Sequence, residues 1–172
     1  FDLKAFYFQQ NDFTIEFWFK IERRSERATF LSWMGASGNP DSRRGWYIQT
    51  RVEHNHAIGA YIYMGGGWRK VGYDAEGVPD LNTWYHTALV RNENEVALYF
   101  NGVKQTTVYN CGTQSAEYSN NNRRIPLTIG AMLKSIGGYP EKYEHYYSGY
   151  IDELFIVRGK ARYIESTTYT IP

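Results

Sequence analysis

Residues 13–21 read Phe-Thr-Ile-Glu-Phe-Trp-Phe-Lys-Ile, and this stretch decides the fold. Every odd position is apolar, whereas the even positions hold Thr, Glu, Trp and Lys. Because side chains alternate between the two faces of a β-strand, this period of two predicts a strand with one face in a core. We expect Phe13, Ile15, Phe17 and Phe19 to be strongly buried on a central strand.

The rest of the chain repeats short segments of this kind, separated by turn residues. We predict strands over residues 28–33, 45–51, 58–64, 68–73, 84–91, 96–100, 103–109, 127–130 and 150–157. Asn101-Gly102 predicts a tight hairpin, because both residues tolerate a positive φ. The alternation slips at Asp152-Glu153, which predicts a β-bulge. No long helical period occurs, so we predict an all-β, two-sheet antiparallel jelly-roll sandwich, with residues 1–172 as a single domain.

Residues outside the first strand are also predicted to face the core. We expect Trp84 to cap the core where its strand begins. His86 is expected to be a packed, hydrogen-bonded core residue rather than a catalyst. The other residues predicted to be buried are Val90, Leu98, Phe100, Ile129 and Ile151.

Composition limits the classes of partner. The chain has 172 residues and a net charge of +1, and this balance argues against nucleic acid as a partner. No apolar run is long enough to cross a bilayer as a helix, so we expect no membrane insertion. A single cysteine, Cys111, excludes an internal disulfide framework. Aromatic residues make up 17% of the chain and are led by 16 tyrosines, which favours a β-rich protein with aromatic surfaces.

Three stretches together resemble the laminin-G-like, concanavalin A-like jelly-roll superfamily. They are residues 12–20, residues 82–102, and residues 127–131 followed by 148–154. The resemblance implies the jelly-roll fold over nearly the whole chain. It leaves the function open, because this fold hosts lectins, glycanases, adhesion modules and structural domains.

The C-terminal part carries a second resemblance. Residues 158–163, together with the final Thr170-Ile171-Pro172, are similar to versions of this domain in phage tail and other virion proteins. This resemblance implies a virion or extracellular location.

A calcium site is a further implication of the resemblance, since members of this superfamily often bind calcium through acidic side chains. The candidate ligand is Asp152, with Asp12 and Asp2 as further contributors. Calcium needs six to eight oxygen ligands, and the sequence shows no dense acidic loop. The alternative is that Asp152 and Glu153 bond backbone N–H groups or a nearby arginine.

The sequence argues against an enzyme. Glycanases of this fold, as the resemblance implies, use two carboxylates at alternate positions of one strand, and retention of configuration requires them about 5–5.5 Å apart. Glu93 and Glu95 have that spacing but lie in a polar turn, and Glu16 is the only acid on its strand. We therefore expect a non-catalytic module without glycoside hydrolase activity.

Two aromatic segments are candidate ligand-binding surfaces. One is the tyrosine-rich stretch 138–147, and the other is the hairpin in which three glycines precede Trp68. Aromatic rings bind the apolar C–H face of a sugar, and polar side chains bond its hydroxyls. The predicted glycan-binding residues are Trp68, Arg69, Tyr139, Tyr143, Tyr146 and Asn39.

Two functions fit these features. The first is a lectin-like module that binds cell-surface glycan, as part of a virion, a tail fibre or a secreted surface protein that acts in host attachment. The second is a structural or decoration domain whose aromatic surfaces contact other virion subunits, since tyrosine is also favoured at protein interfaces.

Overall fold

The computed structural model describes residues 6–34, 44–117, 126–135, 142–163 and 167–172. Within these residues the regular elements are thirteen β-strands and two three-residue 3₁₀ turns, Val52–His54 and Ala75–Gly77. The strands are β1 (Phe13–Ile21), β2 (Arg27–Met34), β3 (Gly45–Arg51), β4 (Ile58–Met64), β5 (Gly67–Gly72), β6 (Trp84–Asn92), β7 (Glu95–Phe100), β8 (Val103–Lys104), β9 (Tyr109–Asn110), β10 (Thr128–Ile129), β11 (Met132–Ser135), β12 (Lys142–Glu144) and β13 (Gly149–Arg158). In the described part of the chain, no helix has the length and apolar character needed to cross a membrane.

Two antiparallel sheets form the predicted sandwich. The six-stranded sheet has the order β13-β1-β6-β7-β8, with β9 also paired to β7. The five-stranded sheet has the order β10-β2-β3-β4-β5, and β11 pairs with β12 in a small separate sheet. Because β1 pairs with β13 and β6, the first strand lies beside the last, and residues far apart in sequence share one face.

The apolar face of β1 forms the centre of the core. Phe13, Ile15, Phe17 and Phe19 are all completely buried, as predicted. Phe30 of the opposite sheet packs against two of them, with ring centroids 5.7 Å from Phe17 and 4.6 Å from Phe19. The apolar side chains of residues 13–21 therefore pack the two sheets together. The predicted burial of Val90, Leu98 and Phe100 is also confirmed.

Two core predictions near the sheet edges differ from the structure. Ile129 is 58% exposed, so its predicted burial is wrong. It belongs to a two-residue edge strand that, among the described strands, pairs with β2 alone, and its neighbour Thr128 takes the buried position. Ile151 is half-buried and packs against the rim of the core. The predicted strand 103–109 is also interrupted, since β8 and β9 are two separate short strands.

The predicted local irregularities are present. Asn101 and Gly102 have φ values of 49° and 82°, and they form the tight turn between β7 and β8. The pairing of β13 with β1 shifts register between Glu16 and Trp18, and Glu153 has a φ of 48°. The predicted bulge at Asp152-Glu153 is thus confirmed.

Candidate functional site

One end of the outer face of the six-stranded sheet is covered by the C-terminal residues 159–163 and 167–172. Glu16 points outward from β1 yet is almost fully buried, and the guanidinium of Arg162 pairs with its carboxylate. Tyr163 and Tyr169 stack with ring centroids 3.7 Å apart. They pack with Val108 and Ala161 against Ala88, Val90, Ala97 and Tyr99 of the sheet. This second small core seals that end of the face.

His86 lies at the boundary of the sealed region. It is buried, and its Nδ1 is 2.6 Å from the hydroxyl oxygen of Tyr169, so the expectation of a packed, hydrogen-bonded residue is confirmed. Its place differs from the expectation, because it faces the C-terminal segment rather than the core between the sheets. Burial, with a smaller effect from the charge of Arg162, lowers the pKa of His86 to about 4. The imidazole is therefore neutral at pH 7.

The other end of this face is open and forms a groove, which we call the tryptophan groove. It has a volume of about 380 Å³, within the usual range of small-molecule sites. Strand pairing builds it, because Trp18 of β1 lies opposite His86 on one side and Asp152 on the other. The groove is lined by Trp18, Trp84, Asp152, Glu153 and Pro172.

Trp84 presents an accessible aromatic surface to the groove. Its side chain is 41% exposed, so the expectation that it caps the core is wrong. Trp84 shares its face of β6 with His86 and lies opposite Lys20 of β1. Trp18 and Lys20 occupy even, polar positions of residues 13–21, and this was the signal that Trp18 lies on the outer face.

A cation already lies over the aromatic rings at this end. The Nζ atom of Lys20 is 5.4 Å from the ring centroid of Trp84 and 4.6 Å from that of Tyr150. The electron-rich ring faces attract the ammonium group. Tyr150 is 51% exposed, so it extends the aromatic surface beyond the groove.

Two carboxylates lie in the groove beside the tryptophans. Asp152 and Glu153 are both exposed, and the backbone N–H of Glu153 donates a hydrogen bond to Asp152 Oδ1 at 2.8 Å. Neither carboxylate forms an ion pair with any residue that the structure describes. The predicted alternative of a backbone N–H bond thus holds for Asp152, and the carboxylates keep acceptor capacity for a ligand.

The outer face of the five-stranded sheet carries a different aromatic arrangement, which we call the aromatic layer. Its members are Tyr47, Tyr61, Tyr63, Trp68 and Tyr73. Tyr47 contacts the rings of Tyr61 and Trp68, each at 5.3 Å, and Tyr63 meets Trp68 edge-on at 5.6 Å. Burial raises the pKa of the Tyr47 hydroxyl above its usual value. These rings mainly cover the sheet and one another.

A glycine in β4 allows one ring of the aromatic layer to pack directly on the sheet. Gly59 lies under Tyr73, and a Cβ atom on it would be only 2.2 Å from the tyrosine ring. The ring therefore lies directly on the backbone of β4, and the Tyr73 side chain is only 8% exposed.

The structure separates the two predicted binding residues of the glycine hairpin. Trp68 belongs to the aromatic layer and is half-buried. Arg69 donates hydrogen bonds to the carbonyl oxygens of Met64 and Gly65 at 3.1 Å, and its guanidinium lies over the ring of Tyr109. Because consecutive strand residues point to opposite faces, Arg69 does not share the surface of Trp68.

The tyrosine-rich segment is only partly described. Tyr143 lies on β12 and is 37% exposed, and Tyr146 is 65% exposed in the loop that follows. Tyr147 instead packs inward, and its hydroxyl donates to the carbonyl oxygen of Lys20 at 2.7 Å. The predicted site residues Tyr139 and Asn39 lie outside the described residues.

The described side chains do not complete a calcium site at Asp152. Among the residues with described positions, no group of three or more His, Cys, Asp or Glu side chains could hold a metal ion. Asp12 accepts a hydrogen bond from the backbone N–H of Glu93, and it lies beyond the far end of β1, about 20 Å from Asp152 at 3.3 Å per residue. Asp2 is outside the described residues. Calcium binding at Asp152 stays a prediction.

A family model matches residues 1–161, described as the concanavalin A-like lectin/glucanases superfamily. The chain belongs to this superfamily. The match covers both sheets and most of the groove, and it agrees with the resemblance seen in the sequence. Among curated proteins, no sequence matches significantly.

Solved structures of the superfamily agree with the fold. Similar ones include a native heptameric SAP-like pentraxin from Limulus polyphemus (16% identity, TM-score 0.55, 87% of this chain and 65% of that chain). Domain 4 of the extracellular GH43 arabinanase AbnA from Geobacillus stearothermophilus, in complex with arabinotriose, has 16% identity and a TM-score of 0.55 over 92% and 65% of the two chains. Domains LG4-5 of the mouse laminin alpha1 chain have 14% identity and a TM-score of 0.56, over 87% of this chain and 36% of that chain. The chain thus spans 36–65% of these chains, and identities this low show the fold alone.

Proposed function

We propose that this domain is a non-catalytic glycan-recognition module that binds sugar in the tryptophan groove. The observation that carries the proposal is the position of an exposed Trp84 in a groove of about 380 Å³, beside two carboxylates that form no ion pair with any described residue. The apolar C–H face of a sugar ring packs on the indole. The sugar hydroxyls donate hydrogen bonds to the carboxylates of Asp152 and Glu153, which act as acceptors.

One similar structure supports this type of ligand. The arabinanase domain with the same fold was solved in complex with arabinotriose, a short sugar chain. Its identity to this chain is 16%, so the support concerns what the fold can accommodate and not the position of the site.

The exposure of the two carboxylates favours binding over catalysis. A glycosidase needs a general acid that stays protonated near neutral pH, and such a group is held in a buried, apolar pocket. Asp152 and Glu153 are both open to solvent at the bulge of β13. We therefore expect no turnover of polysaccharide by this domain.

The tryptophan groove is better suited to bind a sugar than the aromatic layer around Trp68. In the layer, Trp68 is half-buried between Tyr47 and Tyr63. Nearby acids are also occupied: Glu53 pairs with Arg27 and Arg51, and Glu117 pairs with Arg44. In the groove, by contrast, the exposed indole lies beside two exposed carboxylates that have no described cation as an ion-pair partner.

The test is a glycan array probed with a multivalent display of the domain. A single shallow site is expected to bind with a Kd of about 0.1–1 mM, and several copies raise the avidity by about 10²–10⁴. Trp84→Ala should abolish the array signal, whereas Trp68→Ala should preserve it at a temperature where melting curves show both variants folded. Retained binding by Trp84→Ala together with loss in Trp68→Ala would move the site to the aromatic layer.

For the biological setting, we propose a virion, tail-fibre or secreted surface protein that acts in host attachment. The support is the similarity of residues 158–163 and 170–172 to virion versions of the domain, and the need of a weak site for many copies on one particle. Binding of the multivalent domain to intact cells, competed by the glycan that the array identifies, tests this setting.

A second candidate is a structural or decoration domain. It is favoured by Ile129 and Tyr146, which are 58% and 65% exposed. They lie at one sheet edge, where the Tyr147 N–H bonds the carbonyl of Gly130 at 2.9 Å. If Ile129→Ser disrupts association with other subunits while the array signal stays unchanged, this edge is a protein contact.

A further inference from the structure

The bulge in β13 places two consecutive acids on the same side of the sheet. Glu16 pairs with Phe155 and Trp18 pairs with Asp152, so Phe17 alone faces both Glu153 and Leu154. In a regular strand, Asp152 and Glu153 would point to opposite faces. The extra residue, with Glu153 at a φ of 48°, brings both side chains to the groove.

No described cation forms an ion pair with these two acids, although the ammonium of Lys20 lies over the nearby rings of Trp84 and Tyr150. Other partly exposed acids pair with cations: Glu53 with Arg27, Glu95 with Lys104, and Glu117 with Arg44. In the described part of the chain, Asp152 and Glu153 have no such partner, and the neighbouring His86 is neutral at pH 7. With two carboxylates against the one ammonium of Lys20, the groove carries a local negative charge in a chain whose net charge is +1.

The aromatic walls suit a positive charge as well. The Lys20 ammonium already lies over the rings of Trp84 and Tyr150. A ligand that combines an apolar ring face with an ammonium group would pack its ring on Trp84 and pair its charge with a carboxylate. A neutral sugar packs its ring and donates hydroxyl hydrogen bonds to the carboxylates but forms no ion pair with them, and an acidic sugar is repelled by both acids.

From this complementarity we infer that the tryptophan groove selects glycans whose sugars carry a free amino group, such as oligomers of β-1,4-linked glucosamine. The inference rests on the proposed function, because it names the sugar chemistry for the same site. The charges of the chain are nearly balanced, with a net charge of +1, so the protein as a whole does not attract a cationic oligomer and such binding depends on the local acids.

The experiment compares two oligosaccharides that differ in charge at one position of each sugar. The glucosamine tetramer has free amines, and its N-acetylated counterpart does not. In calorimetric titrations of the full chain, we expect the glucosamine tetramer to bind at least tenfold more tightly. The double variant Asp152→Asn/Glu153→Gln should reduce this preference to below twofold. Glu76→Gln, at an exposed acid in a 3₁₀ turn, is the control that should leave the preference unchanged.

The outcomes separate the inference from the proposed function. Equal binding of the two tetramers, with both lost in Trp84→Ala, would overturn amine selection and support the glycan site. A preference that persists in the double variant would also overturn amine selection, since the carboxylates would not be its cause. Absence of binding to the glucosamine tetramer, with a positive array signal for other glycans, would overturn the inference alone. Melting curves establish that each variant is folded.

Discussion

The two outer faces of the sandwich use aromatic residues in opposite ways. On the five-stranded sheet, the rings of the aromatic layer pack on one another and cover the sheet. On the six-stranded sheet, the C-terminal segment seals one end and leaves Trp84 and Tyr150 exposed at the other, beside two acids that form no ion pair with described residues. Aromatic content alone therefore does not mark a site. Exposure of a ring next to an unpaired polar group is the better indicator.

The largest expected effect on stability comes from removing the ion pair in the sealed end of the six-stranded sheet. Arg162→Ala leaves the buried carboxylate of Glu16 without its partner, and we expect the free energy of unfolding to fall by about 3 kcal/mol. The matched change on the other face, Arg27→Ala, breaks an exposed pair with Glu53 and should cost below about 1 kcal/mol. Urea unfolding measures both. Equal losses would mean that the C-terminal segment does not seal the face.

The two faces should also lose stability in different pH ranges. The folded-state pKa of His86 lies at about 4, below its ordinary value of 6.5. Its contribution is therefore complete above pH 6.5 and is lost as the pH falls towards 4, by roughly 2–3 kcal/mol. On the other face, a backbone hydrogen bond and then a hydrogen bond from Arg27 lower the pKa of Glu53 to about 2, so its contribution is lost only as the pH falls from 4.5 towards 2.

Unfolding at a series of pH values separates these two contributions. His86→Gln should remove the loss of stability between pH 6.5 and 4, and Glu53→Gln should leave it in place. An unchanged pH profile in His86→Gln would show that this imidazole is not buried in its neutral form.

The next contrast concerns the two tryptophans. Trp68 packs between Tyr47 and Tyr63, so Trp68→Ala should lower the free energy of unfolding by about 2 kcal/mol. Trp84 is largely exposed, and Trp84→Ala should cost below about 1 kcal/mol although it removes glycan binding. Thermal melts and array signals of both variants give the two readouts. A strongly destabilised Trp84→Ala would indicate that this ring serves the fold rather than a ligand.

Calcium is expected to give the smallest effect. Two carboxylates supply few of the six to eight oxygens that calcium needs, so we expect a Kd of about 1 mM. Addition of 1 mM calcium would then stabilise the domain by about 0.4 kcal/mol. Thermal melts with calcium and with a chelator measure this difference, and Asp152→Asn should remove it. A stabilisation that survives in this variant would place calcium elsewhere.

The sequence predicted the core of the fold because period-two alternation reports which residues share a strand face. The burial of Phe13 and Phe17, the turn at Asn101-Gly102 and the bulge at Asp152-Glu153 are all local properties. The exposure of Ile129 was not predictable in this way, since it depends on the position of a short strand at the sheet edge.

The groove was missed for a related reason. Trp18, Trp84 and Asp152 lie on three strands that pair as neighbours although they are distant in the chain. Local alternation shows that Trp18 lies on a polar face, but it does not show which residues lie beside it. The exposure of Trp84 also depends on where the C-terminal segment crosses the six-stranded sheet. This contact joins residues far apart in the chain, so the local sequence pattern does not predict it.

The most direct test of the groove is a titration followed through the five tryptophan indole N–H signals by NMR. Trp33 and Trp46 are buried in the core, Trp68 lies in the aromatic layer, and Trp18 and Trp84 line the groove. With the glycan that the array ranks first, we predict shifts of the Trp18 and Trp84 signals and an unchanged Trp68 signal. A shift of the Trp68 signal with unchanged Trp18 and Trp84 signals would contradict the account.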